Sequence, residues 1–168
     1  MEEIWIIGVG RFGYIAFQRL LESGKDRQFV LVDPAEEKLR RCKGANSTLE
    51  ISDGIEFLET HLEKDRKPDW IIPALPLHLA AEWLLLHLGP ARLKRIPLPS
   101  GLAKLVPNPF HGPEGNLYVS HADFRCPKDC DELRDICTVT GKSRKQNMYD
   151  FLGGLCLEPF KLLNIRSQ

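Results

Sequence analysis

Two hydrophobic rhythms alternate along this chain. Ile4 to Ile7 is an unbroken apolar run ended by Gly8, the pattern of a strand buried on both faces of a parallel sheet. From Arg11 the spacing changes: Phe12, Ile15, Ala16, Leu20 and Leu21 recur at helical intervals until Ser23-Gly24, where glycine offers a C-terminal cap. Phe29 to Val32 predicts a second strand, stopped by Asp33-Pro34, and Pro34 opens a short helix through Glu36, Lys38, Leu39 and Arg40 toward Gly44. A third strand is expected over 48–51. Ser52 or Asp53 then caps a helix containing Ile55, Phe57, Leu58 and Leu62.

Trp70, Ile71 and Ile72, stopped by prolines, predict a fourth strand. The stretch "LHLAAEWLLLHLG" follows, with polar residues only at His78, Glu82 and His87, so it reads as a helix buried on two sides, against the sheet and against a second surface for which a partner subunit is one candidate. "RLKRIPLP" reads as a fifth strand. Strands alternating with helices predict an α/β fold: a Rossmann-like parallel sheet flanked by helices, built from right-handed βαβ units. Near residue 97 the pattern breaks, with Pro97, Pro99, Pro107, Pro109 and Pro113 among Gly101, Gly112 and Gly115. The expected division is a nucleotide-binding domain over 1–100 and a Pro/Gly-rich linker with a small Cys-rich module over 101–168. In that module "NLYVSHA" reads as a strand, Asn147 to Leu152 as a short helix and "FKLLNI" as a last strand.

Charge narrows the partners. The 168 residues carry 23 Lys plus Arg against 23 Asp plus Glu, and no basic run offers the surface that nucleic acid requires. The N-terminal apolar run is too short for a signal peptide or a membrane span, which predicts a cytoplasmic protein without membrane insertion.

The strongest candidate chemistry is at the first strand–helix junction. Gly8, Gly10 and Gly13 form G-x-G-x-x-G between a buried-type strand and a helix, and Asp33 ends the next strand 20 residues after Gly13. In a dinucleotide site Gly8 permits the sharp exit, Gly10 lets a pyrophosphate approach the backbone, and Gly13 lets the helix pack closely. The helix N-terminus adds free N–H donors and partial positive charge. Gly8, Gly10, Arg11, Phe12, Gly13 and Asp33 are the expected cofactor-binding residues. Asp33 would accept from the ribose hydroxyls and repel a 2′-phosphate, so NAD(H) is expected over NADP(H). Arg40 and Arg41 read as a solvated helix face. His78, at the carboxyl end of the sheet, is a candidate neighbour for a nicotinamide ring, or simply a polar residue at a helix start.

The residues "IWIIGVGRFGYIAFQRLLESG…FVLVD" resemble the regulatory NAD-binding domains of potassium channels and transporters, the KTN or RCK family, over roughly the first half of the chain. That resemblance implies a homodimeric ligand-sensing module with Gly8, Gly10, Gly13 and Asp33 as cofactor contacts. The cysteine-rich tail is not part of that pattern, so nucleotide binding alone is carried over.

In "SHADFRCPKDCDELRDIC", His121, Cys126, Cys130 and Cys137 bring four soft or borderline donors close together, the donor types a structural zinc ion takes. An iron–sulfur cluster and a redox thiol pair are the alternatives, and Cys156 is a substitute for His121. Cys42 reads as unconnected. No nucleophile elbow, Walker loop or H-E-x-x-H is present. The expected function is an NAD(H)-binding regulatory or sensor protein with a Cys/His metal site; a small NAD-dependent oxidoreductase and an iron–sulfur electron-transfer protein are the alternatives.

Overall fold

In the computed structural model the described residues are 1–44, 46–65, 67–127, 130, 135–143 and 146–162. They fall into two compact units, Met1–Arg95 and Ile96–Gln168.

The first unit is an α/β layer structure around a four-stranded parallel sheet. Strands β1 (Glu2–Ile7), β2 (Arg27–Val32), β3 (Ser47–Glu50) and β4 (Trp70–Pro73) lie in the order β3-β2-β1-β4. The central strand explains its own sequence. Ile4 and Ile6 enter a cluster with Val9, Phe17, Phe29, Leu31 and Leu39 on one face. Trp5 and Ile7 meet Val32, Phe57, Leu58 and Leu79 on the other. Both faces of β1 are dry, so no position in the run tolerates a polar side chain.

Helix α1 (Arg11–Glu22) buries Gly13 and Phe17, one turn apart, while Phe12 and Leu21 are exposed. The core-facing line is thus set one residue later than the apolar spacing from Phe12 suggests. Arg27, only 7 % exposed, closes the far end: it pairs with Glu2 at 2.6 Å and donates to the Leu20 carbonyl at 2.9 Å, a cation where the helix dipole is negative. Helix α2 (Glu36–Arg40) is short, and α3 (Gly54–His61) starts at Asp53, whose carboxylate accepts from the N–H groups of Ile55 and Glu56.

Helix α4 (Leu79–Leu88) differs from expectation. Only Leu79 is buried, and Leu86 is half exposed. Its polar residues tie it down instead: His87 stacks on Trp83 and pairs with Glu59 of α3, and Glu82 pairs with Arg95 at 2.7 Å. The expected fifth strand does not form; residues 93–99 are irregular, and β4 is left at the sheet edge. Pro97 and Pro99 supply no N–H to a ladder, which removes two of the donors such a strand would need.

The second unit has short elements. Helix α5 (Leu102–Leu105) is a single turn, β5 (Phe110–His111) pairs antiparallel with β6 (Leu117–Tyr118), and α6 (Met148–Gly153) is capped by the Asn147 side chain, which accepts from the Asp150 N–H at 2.8 Å. The strand expected through His121 ends at Tyr118, and His121 stands in a bend. Of "FKLLNI", Phe160 makes an isolated bridge to Leu157, and residues 163–165 lie outside the described residues. Among the described residues no helix is long and apolar enough to cross a membrane.

The close fit of α1 to β1 yields a contrast between two glycines. A Cβ on Gly13 would lie 1.9 Å from the Gly8 carbonyl oxygen, whereas one on Gly10 would meet nothing within 4 Å. Gly13→Ala is expected to destabilise the first unit by about 3 kcal/mol or more, and Gly10→Ala by about 1 kcal/mol or less. Urea unfolding followed by tryptophan fluorescence checks both, since Trp5, Trp70 and Trp83 all belong to this unit.

Candidate functional site

The carboxyl ends of the parallel strands meet at the glycine loop. Gly8 leaves β1 at φ +94°, a conformation that a side chain disfavours, and its N–H donates to the Val32 carbonyl at 2.7 Å. A Cβ there would also strike Leu75 and the Ala74 carbonyl, so the loop after β4 packs directly on this turn. Gly10 follows as the N-cap of α1 at φ −68° with open space beside it. No side chain caps this helix, its first turn holds no acid, and Arg11 occupies its first position. A cation at a helix N-terminus opposes the dipole, so this end of α1 is electrostatically suited to an anion. Phe12 is 66 % exposed beside it, with the Arg11 guanidinium 5.9 Å from its ring centre.

Asp33, at the end of β2, is only 3 % exposed. Its Oδ2 accepts from the Val9 N–H at 2.8 Å and its Oδ1 from the Ala35 N–H at 2.9 Å, and the Lys38 ammonium lies 3.2 Å from Oδ1. Burial pushes this carboxyl up, but the N–H groups of Ala35 and Val9 and the Lys38 charge outweigh it and hold it below the usual aspartate range. The carboxylate therefore fastens the glycine loop to the turn before α2. Its further acceptor capacity lies behind Lys38.

Sequence reasoning overlooked one partner of the loop. Arg40 does pair with Glu36 on the solvated face of α2. Arg41 does not join that face. Its Nη2 donates to the carbonyls of Val9 at 2.6 Å and Gly10 at 3.2 Å, and its guanidinium lies 4.3 Å above the Tyr14 ring. Asp33 thus holds the N–H of Val9 while Arg41 holds its carbonyl. The signal for Arg41 was its place at the C-terminus of a helix too short to carry it away from the loop. His78 is the exposed N-cap residue of α4, and its carbonyl accepts from the Glu82 N–H.

The expected metal ligands differ in exposure. Cys126 and Cys156 are exposed, Cys130 and Cys137 half-buried, and none is in a disulfide. His121, Cys126 and Cys137 line one cavity of about 850 Å³ in the second unit, together with Phe124, Lys142 and Phe151. Cys137 opens a tight loop: its N–H donates to the Lys142 carbonyl, its carbonyl accepts from Gly141, and its sulfur accepts from the Thr140 N–H at 3.5 Å. Among the described residues, however, no three His, Cys, Asp or Glu side chains stand close enough to hold an ion. Cys42 is buried beneath the first sheet face, and burial pushes its thiol up.

Comparisons with known proteins bear on the whole chain. Residues 80–168 match a family model described as "Uncharacterized protein, C-terminal domain". A protein of Archaeoglobus fulgidus, itself described as uncharacterized, is 29 % identical over 174 aligned residues that cover 95 % of this chain and 77 % of that protein. No solved structure matches.

The Asp33 clamp has a pH signature. Its folded pKa lies below the 3.8 of an ordinary aspartate, so its stabilisation is complete above that value and is lost as pH falls through the lower, folded one. Asp33→Ala is expected to cost about 3 kcal/mol at neutral pH, because two buried N–H groups lose a charged acceptor. The gap between parent and variant should narrow in strong acid, as read from urea midpoints across a pH series.

Proposed function

We propose, from the premise that this chain belongs to the AF_1314_C family, that residues 1–95 bind an adenine dinucleotide such as NAD(H) or its 2′-phosphorylated form. The family match begins after the glycine loop, so the reading rests on the geometry around residues 8–13 and 33–41. The observation that carries it is the bare main chain at Gly10, which faces open space at an uncapped helix N-terminus.

Each glycine has the environment that a diphosphate cradle asks of it. Gly8 makes the turn, Gly13 brings α1 onto the strand end, and Gly10 leaves the approach clear. The strand order β3-β2-β1-β4 supports the same reading, since it is that of the first four strands of a dinucleotide-binding sheet. In this role the N–H groups at the start of α1 orient the diphosphate, Arg11 adds positive charge, and exposed Phe12 offers a ring edge to the ligand. Asp33 and Arg41 act on the loop itself: they hold Val9 from both sides, so its N–H groups are aimed before a ligand arrives. A bound dinucleotide would bring the redox-active ring; these residues bind and orient it. The biological role that follows is a regulatory unit that reports nucleotide occupancy. The cysteine-rich unit carries no part of this reading.

Calorimetric titration of the full chain with NADH and NADPH tests it. At least one is expected to saturate a single site per chain. Gly10→Val is expected to lower that affinity at least tenfold while costing no more than about 1 kcal/mol in stability, because the added side chain fills ligand space and not protein space. A parent protein that binds neither nucleotide would overturn the proposal.

A further inference from the structure

The charges around Asp33 decide which ribose such a site takes. An aspartate selects an unphosphorylated ribose when its carboxylate faces the ligand, where it accepts from hydroxyls and repels a phosphate. Asp33 does not face solvent. It is 3 % exposed, both oxygens accept backbone N–H groups, and Lys38 Nζ lies 3.2 and 3.5 Å from them. The Lys38 side chain is 44 % exposed. A group arriving from solvent therefore meets an ammonium before it meets the carboxylate.

The neighbouring charges have the same sign. Arg41 holds the carbonyl of Val9, the residue whose N–H Asp33 holds, so the two cations flank one short stretch of backbone. On α2, Glu36 is paired with Arg40, and Glu37 is exposed. At this end of the loop the buried Asp33 carboxylate and the cations Lys38 and Arg41 together leave a net positive charge.

We infer that the site prefers an adenine dinucleotide whose ribose carries a 2′-phosphate, with Lys38 as the specificity-determining residue and Arg41 as the second cation. The inference rests on the nucleotide reading and reverses the preference expected from Asp33 in the sequence. A phosphate monoester bears close to two negative charges at neutral pH and has oxygens that accept from both an ammonium and a guanidinium. A bare hydroxyl gains far less from either.

The experiment is calorimetry of the full chain with NADPH and with NADH at low salt, for the parent, Lys38→Met and Lys38→Arg. NADPH is expected to bind at least about threefold tighter than NADH, with the gap narrowing as salt screens the exposed charges. Lys38→Met should weaken NADPH about tenfold and NADH less than about twofold, and Lys38→Arg should keep the preference. A merely structural lysine would weaken both nucleotides alike, and that result overturns the inference. So does a parent that binds NADH as tightly as NADPH or tighter, a comparison that needs no variant to fold. Binding of neither nucleotide sinks the nucleotide reading itself and is thereby distinguished from a failure of specificity alone.

Discussion

The carbonyl oxygen of Gly8 occupies the space where a side chain on residue 13 would stand, and the arrangement of the first unit depends on that substitution of backbone for side chain. It brings the start of α1 against the end of β1, closer than any other residue type allows. From that approach the rest follows in order. Phe17, one turn on, reaches Phe29 edge-on at 5.2 Å and completes one face of the core. Gly10, held at the rim, has open space where a side chain would stand.

Electrostatics then gives the rim its character. A buried carboxylate is costly unless its lone pairs are used, and Asp33 uses its own on two backbone N–H groups and an ammonium. The same bonds stiffen the loop. Arg41 completes the frame from the opposite side while covering Tyr14, a contact that gives a long flexible side chain a defined position. Asp33, Lys38 and Arg41 thus both organise the loop and set the charge at its rim.

The second unit is built by different means. Val106 is its one buried hydrophobic residue among those described, and Phe110, Ile136 and Val139 are exposed. Local devices take the place of a large core: the Asn147 cap, the packing of Tyr118 against Gly112, and the loop closed at Cys137. The family match runs from within α4 to the end of the chain, so the stretch with the least apolar packing is also the one that defines the family.

Local pattern alone determined the parallel strands, the glycine turn and the capped helices, because burial on two faces leaves an unbroken apolar run and a helix start needs a polar acceptor or a bare backbone. The short helix near Asn147 and the stop at Gly24 were legible for the same reason: their partners lie within a few residues. The tertiary structure alone decided that Asp33 and Arg41 both turn to Val9, since these contacts join positions 24 and 32 residues apart. It also decided against the fifth strand. Residue type and spacing state which bonds a side chain is able to make; only the folded backbone sets which partners come within reach.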